Sequence, residues 1–194
     1  MSDQQLQAVL AKIDALNGQD PHPDTEGGTG QPHALAYAKR VTDWVGQLEP
    51  AASEELRIAA RGGHICRWEI PRDRYEKNRK GYLQWREALK GFHAQKVAEL
   101  MKEAGYSGES ISRVERIIRK KNIRDPETQT VEDALCLVFL QTQFTPLREK
   151  EPEAKMLEIL RKTWRKMGEK GRSAAAALQL PKEETALLQK ALQT

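Results

Sequence analysis

The sequence predicts an all-α protein, and three observations lead to that prediction. Apolar residues recur at steps of three and four along most of the chain, the period of a helix that buries one face. No segment alternates apolar and polar residues with a period of two, as a half-buried strand does. Hydrophobic residues make up 39% of the 194 positions, enough for a core. This length predicts a single domain spanning residues 1–194.

The first part of the chain predicts three helices and one long loop. An apolar stripe at helical spacing predicts an N-terminal helix within residues 1–17. Residues 18–32 are rich in proline, glycine and aspartate, a composition that predicts a flexible loop. Helix resumes at His33, and Ser53 is suited to cap a third helix that continues to Pro71.

The rest of the chain predicts a basic loop followed by further helices. Residues 72–80 form the basic loop. A run of charged residues of this kind is also typical of a solvated segment. A long helix is expected at 82–104 and a shorter one at 110–121. The helix predicted at 126–142 is apolar nearly all round, so we expect it at the centre of the core. Three more helices are expected within residues 152–192.

Composition limits the functional classes. Lys and Arg number 32 against 28 Asp and Glu, a net charge of +4, which does not favour a nucleic-acid-coating protein but leaves room for an anion-binding pocket. Cys66 and Cys136 are too few for a disulfide scaffold or a four-cysteine zinc site. The sequence has no secretory signal and no long apolar run, which predicts a cytoplasmic protein without a membrane partner. The oligomeric state is left open.

Three histidines and one aspartate form the candidate metal site. His33, His64 and His93 lie on three successive predicted helices, and Asp133 lies on the most apolar one. Imidazoles with a carboxylate suit a divalent ion such as Mn, Fe, Zn, Ni or Co. A buried carboxylate needs a partner, which for Asp133 is either this metal or a structural group such as an arginine or a helix N-terminus. Each histidine could equally be an ordinary packed residue.

Arginines supply the candidate anion site. Arg61 and Arg67 have helical spacing with His64, and Arg86 lies two turns before His93. Arg72 begins the basic loop. Guanidinium groups match the oxygens of phosphate and sulfate, so we expect these four arginines to bind an anionic small molecule. A metal-bound water could attack a phosphorus atom held there, with His64 and Asp133 as the catalytic residues.

The order of these residues has a precedent in a known superfamily. His33 near a helix start, the string AARGGH at 59–64 and the distant Asp133 resemble the HD-domain superfamily. Members are helical proteins that typically act as metal-dependent phosphohydrolases. The resemblance covers roughly residues 32–142.

The HD resemblance implies a core at residues 33–145 and a C-terminal helical extension at 146–194. Ile65 stands where the HD pattern has aspartate, so the bridging carboxylate of a two-metal site is missing, and His93 is the expected replacement ligand. An iron oxygenase of HD type would need the same carboxylate. The implied metal ligands are His33, His64, His93 and Asp133.

A second resemblance is carried by longer strings. Residues 64–72 (HICRWEIPR), 81–86 (GYLQWR) and 132–140 (EDALCLVFL) look like an uncharacterised bacterial and fungal family. That family is catalogued as a domain of unknown function and is sometimes labelled glutamyl-tRNA synthetase. A class I synthetase needs a nucleotide-binding parallel sheet, which this sequence does not predict.

Two functions remain in competition. The first is an HD-like metal-dependent hydrolase of a phosphorylated or sulfated small molecule, with nucleotides among the candidates. The second is a metal-free HD-like module that binds a nucleotide or an RNA end through arginines and aromatic residues, although nucleic acid is not the favoured partner. The sequence leaves open whether the protein is an enzyme. If it is, we expect a metal-dependent phosphohydrolase.

Overall fold

The computed structural model describes residues 3–25, 30–122 and 124–193. Within these ranges the protein has ten α-helices and no strand, which confirms the all-α prediction. No helix in the described ranges is both long and apolar enough to span a membrane. The α-helices are α1 Asp3–Asn17, α2 His33–Leu48, α3 Glu54–Gly62, α4 Arg79–Glu103, α5 Gly108–Arg119, α6 Pro126–Val138, α7 Phe144–Arg148, α8 Glu153–Lys166, α9 Glu169–Ala176 and α10 Lys182–Leu192.

Side-chain caps explain where four of these helices begin. In each case an oxygen of the residue before the helix accepts a hydrogen bond from a backbone N–H in the first turn. This bond satisfies a donor that the helix itself leaves unpaired. The capping residues are Ser53 for α3, Asn78 for α4, Ser107 for α5 and Asp125 for α6.

The core is one cluster of buried side chains to which all ten helices contribute. Helix α6 packs against α2, α9, α8 and α5, and nine of its thirteen residues are buried. The expectation that this helix occupies the centre is therefore confirmed. Both cysteines are free and buried, as expected for packing residues.

Helix α3 is shorter than the sequence predicts. It ends at Gly62, where a Cβ atom would lie only 2.4 Å from Cγ2 of Val97 on α4, so the two helices can approach closely only at a glycine. The chain then turns, and Cys66 adopts a left-handed conformation with φ of 50°. Its backbone N–H donates to Oδ1 of Asn17 at 3.0 Å, which helps to hold this turn. His64 is therefore presented by a turn, and Arg67 by the short 3-10 helix Arg67–Glu69 that follows it, rather than by the face of α3.

The segment 18–32, predicted as a flexible loop, is held against α2 by two buried aspartates. Asp20 is buried, and its Oδ2 accepts a hydrogen bond from the backbone N–H of Ala34 at 2.9 Å, which caps α2. Asp24 is also buried and forms an ion pair with Arg40. The middle of the predicted loop, residues 26–29, lies outside the described residues. The described parts of this segment therefore form a fixed wall beside the start of α2.

The helix predicted at 126–142 changes character after Val138. A five-residue π-helix, Phe139–Gln143, joins α6 to α7. Pro146 follows within α7, and in a regular α-helix its ring would clash with the carbonyl group of Thr142. A widened turn before a proline avoids that clash. It also turns Gln143 towards the start of α2.

Candidate functional site

Two adjoining pockets lie between α2, the turn after α3, and α4. We call them the outer pocket, of about 430 Å³, and the inner pocket, of about 40 Å³. Both are lined by Tyr37, His64, Arg67 and Arg86, which therefore mark their junction. The outer pocket is also lined by Asp20, His22, His33, Trp68, Ile70, Trp85 and Gln143. The inner pocket is also lined by Val41, Leu89, His93, Ile118, Lys120 and Leu135.

The three predicted histidines lie in one row, with a tyrosine inserted. The ring centroids of His33 and Tyr37 are 6.1 Å apart, and those of Tyr37 and His64 are 4.9 Å apart. The row continues to His93, whose ring centroid lies 5.7 Å from that of His64. The structure therefore brings His64 and His93 together, whereas the ring of Tyr37 lies between His64 and His33.

His93 is a buried neutral imidazole with one unpaired nitrogen. Its Nδ1 lies 2.8 Å from the carbonyl oxygen of Ile65, and a carbonyl can only accept, so Nδ1 carries the proton. Nε2 is then an acceptor, and it has no hydrogen-bond partner among the described residues. Burial lowers the pKa of His93 to about 3, assisted by the charges of Arg67 and Arg86 and opposed by the Ile65 carbonyl.

His64 is neutral for similar reasons. Desolvation by the surrounding protein is the main cause that lowers its pKa well below the ordinary value for histidine. The positive charge of Arg67, the neighbouring His93 and the charges of Arg86 and Lys120 lower the pKa further. At neutral pH the row therefore ends in two uncharged imidazoles beside a group of cations.

Arg67 and Arg86 face the pocket without an acidic partner. The guanidinium of Arg67 lies 4.7 Å from the centroid of the Trp85 ring, which holds it in place by a cation–π contact. Neither arginine side chain forms an ion pair or hydrogen bond within the part of the chain that the structure describes. Burial, and then the like charge of Arg86, lower the pKa of Arg67. The pocket junction is therefore strongly positive.

A third cation reaches the inner pocket from α5. Lys120 caps the C-terminus of α5 in a left-handed conformation and forms an ion pair with Glu132 on α6. Burial lowers the pKa of Lys120, although Glu132 opposes that shift. Burial alone would raise the pKa of Glu132, but Lys120 keeps it below its ordinary value. The carboxylate of Glu132 is thus already neutralised.

Asp133 lies away from the histidine row. Its Oδ1 accepts hydrogen bonds from Nε2 of Gln129 and from the backbone N–H of Gly168, both at 2.8 Å. Gly171 also packs directly against it. Asp133 is therefore the partner of the N-terminus of α9, one of the two roles that the sequence left open, and it does not line either pocket.

Two of the four predicted anion-binding arginines are engaged elsewhere. Arg61 donates to Oγ1 of Thr42 and to the carboxylate of Asp14, each at 3.0 Å. Arg72 donates to the carbonyl oxygens of Tyr75 and Glu76 at 2.9 and 2.6 Å. Neither lines a pocket, so the structure keeps only Arg67 and Arg86 at the candidate site.

The four predicted metal ligands do not form one set. In the described ranges no group of three or more His, Cys, Asp or Glu side chains is placed to hold a metal ion. Ile65, at the position of the HD aspartate, is fully buried in the core. The metal site therefore stays a prediction, with His64 and His93 as its nearest pair.

The sequence reasoning missed two residues of the site. Tyr37 follows His33 by one helical turn, and this spacing could have placed both on the pocket side of α2. Lys120 gave no such signal, because its direction depends on the left-handed end of α5.

Comparison with known proteins gives one positive result. No curated protein and no solved structure matches the chain. The HD resemblance therefore stays a prediction, and the glutamyl-tRNA synthetase label, which the sequence did not favour, is not shown. The family model described as a domain of unknown function, DUF4202, matches residues 7–188, and the chain belongs to that family.

Proposed function

We propose that this protein binds a small phosphorylated molecule, with the oxyanion held between Arg67 and Arg86, and that binding needs no metal ion. Sulfate has the same chemistry and would bind in the same way. One observation carries the proposal. Two guanidiniums line a concave pocket without a carboxylate partner among the described residues.

This arrangement is costly without a ligand. Burying a charge is unfavourable unless it is paired, and two like charges at one junction repel each other. Both effects act on Arg67, since burial and Arg86 are the two main causes that lower its pKa. An oxyanion between Arg67 and Arg86 would remove both penalties and offer each guanidinium charge-assisted hydrogen bonds.

The outer pocket has room for the rest of the ligand. Its volume of about 430 Å³ lies within the usual range of about 300–1,000 Å³ for small-molecule sites. Trp68, Ile70 and Pro71 give it an apolar wall against which the body of a ligand can pack. The ligand class is therefore a small phosphate monoester, and a nucleotide is one member of that class.

The charges of the pocket support a metal-free function over a metal-dependent hydrolase. A divalent ion bound by His64 and His93 would be repelled by Arg67 and Arg86. Glu132 on α6 is already paired with Lys120. Asp20, which lines the outer pocket, accepts hydrogen bonds from the backbone N–H groups of His22 and Ala34. Two neutral imidazoles would have to offset this repulsion alone.

The direct test is calorimetric titration with inorganic phosphate and with propyl phosphate in the presence of EDTA. The wild-type protein should bind both. Arg67→Gln and Arg86→Gln should each weaken binding by roughly 10- to 100-fold, since each removes charge-assisted hydrogen bonds. Arg165→Gln is the matched control, because it makes the same charge change on α8, which lines neither pocket. Unchanged affinity in both pocket variants would overturn the proposal.

Elemental analysis of untagged protein separates the two functions. The proposal expects no stoichiometric Mn, Fe, Co, Ni or Zn in wild-type protein, even after reconstitution. Near-stoichiometric metal that is lost in His64→Ala would instead favour the metal-dependent hydrolase. Phosphate-ester hydrolysis assays with that metal would then be the next measurement.

A further inference from the structure

His93 lines the inner pocket and carries an acceptor that no described residue pairs. His93 is 2% exposed, and its Nε2 has no hydrogen-bond partner among the described residues. The bond from Nδ1 to the Ile65 carbonyl fixes the ring, so the lone pair of Nε2 cannot be turned towards another partner. Leaving a buried acceptor unsatisfied costs roughly a 5- to 100-fold factor in an equilibrium constant.

The space beside His93 fits a small group. The inner pocket has a volume of about 40 Å³, and a water molecule needs about 10–15 Å³ by the same measure. Much of its wall is apolar, including Val41, Leu89 and Leu135. A polar group that enters therefore finds a limited choice of partners, and Nε2 of His93 is a buried acceptor that no described residue already pairs.

The charge of the pocket decides what kind of donor can enter. An ammonium group could donate to Nε2, but it would be repelled by Arg67 and Arg86, which line the same space. An uncharged hydroxyl avoids that repulsion and is small enough for the chamber. The pocket therefore selects a neutral donor.

The proposed phosphate site and the inner pocket lie side by side. Arg67 and Arg86 line both pockets, so an oxyanion held by them sits at the entrance to the inner pocket. The His64 ring, which also lines both pockets, lies next to His93 at a centroid distance of 5.7 Å. A hydroxyl on a carbon close to the phosphate would then reach His93.

We infer that the ligand is a phosphate monoester of a polyol, whose hydroxyl group donates a hydrogen bond to Nε2 of His93 in the inner pocket. This inference rests on the proposed function, because Arg67 and Arg86 must first hold the phosphate. It narrows the ligand class to compounds such as sugar phosphates, glycerol phosphates and ribonucleotides.

Glycerol 3-phosphate and propyl phosphate test the inference as a pair. Both carry the same phosphate on a three-carbon chain, but only glycerol 3-phosphate has hydroxyl groups. Wild-type protein should bind glycerol 3-phosphate about tenfold more tightly or better, since only this ligand satisfies Nε2. Equal affinities would overturn the inference while the proposed function stands, because water would then be filling the inner pocket. Binding of neither compound would overturn the proposed function itself.

Two variants of His93 test whether the preference for glycerol 3-phosphate depends on Nε2. In His93→Asn the amide can still donate to the Ile65 carbonyl, but no acceptor remains at the Nε2 position. The preference for glycerol 3-phosphate over propyl phosphate should fall to about onefold. His93→Gln, whose longer side chain can place an amide oxygen near the Nε2 position, should keep part of the preference. A full preference in His93→Asn would overturn the role of His93.

Nitrogen NMR of the wild-type protein gives a test that needs no variant. The Nε2 resonance of His93 should move when glycerol 3-phosphate binds, in the direction that hydrogen-bond acceptance produces, and should stay in place with propyl phosphate. The Nδ1 proton should remain on the ring throughout. No Nε2 response to bound glycerol 3-phosphate would overturn the inference even if both His93 variants failed to fold.

Discussion

The pocket junction and the contact between α6 and α9 differ in whether their charged side chains have partners. At the pocket, Arg67 and Arg86 have no acidic partner among the described residues. At the α6–α9 contact, Oδ1 of Asp133 accepts two hydrogen bonds at 2.8 Å. The sequence grouped all three residues into one site. The difference teaches that a charged group with a full set of partners holds the fold together, whereas one without partners is available to a ligand.

The largest expected effect is on the α6–α9 contact. A Cβ atom at Gly171 would lie 2.5 Å from Cγ of Asp133, so Gly171→Ala should displace α9 and lower the free energy of unfolding by about 2 kcal/mol. Phosphate affinity should not change. Gly46→Ala on α2, where nothing lies within 4 Å, is the control and should stabilise by about 0.5–1 kcal/mol. Urea unfolding measures both. Equal stability of the two variants would contradict the close packing around Asp133.

The next effect concerns the pocket histidines and pH. Their folded-state pKa values lie below the unfolded value of about 6.5, so the unfolded chain binds more protons as the pH falls below that value. The free energy of unfolding should therefore fall by up to about 1.4 kcal/mol per pH unit for each histidine. Urea unfolding between pH 6.5 and 5, above the range of ordinary carboxylates, measures this slope. His93→Asn should reduce it, and an unchanged slope would show that His93 binds protons equally in the folded and unfolded states.

The smallest effect distinguishes two arginines with different surroundings. Arg61→Gln should lower the free energy of unfolding by about 1 kcal/mol, because it breaks the bonds to Asp14 and Thr42. Arg86→Gln should not lower stability in phosphate-free buffer, since no described partner is lost and the repulsion between Arg86 and Arg67 is removed. The order should reverse for phosphate binding, which only Arg86→Gln should weaken. A stability loss in Arg86→Gln as large as that in Arg61→Gln would show that Arg86 holds the fold.

Local signals in the sequence predicted the helices well. Periodic apolar residues placed the central helix in the core, and Ser53 caps α3 as its residue type suggested. The order of His33, His64 and His93 also predicted that they lie in one region, although His64 lies on the turn after α3 and Tyr37 separates it from His33.

Partners far along the chain could not be predicted in the same way. Arg61 donates a hydrogen bond to Asp14, 47 residues earlier, and does not line the pocket. Asp133 accepts a hydrogen bond from the backbone N–H of Gly168, 35 residues later. The end of α3 depends on Val97 of a distant helix. Such contacts depend on how helices pack and leave no pattern in the nearby sequence, which is why the predicted site was too large.

The π-helix Phe139–Gln143 makes this region sensitive to the number of its residues as much as to their type. Each α-helical residue turns the chain by about 100°, so deleting one residue here would rotate Gln143 and everything after it by that angle relative to α6. Gln143 would leave the outer pocket, and Phe144 of α7, which is fully buried, would lose its place in the core. This junction should therefore tolerate a conservative substitution far better than an insertion or deletion of one residue.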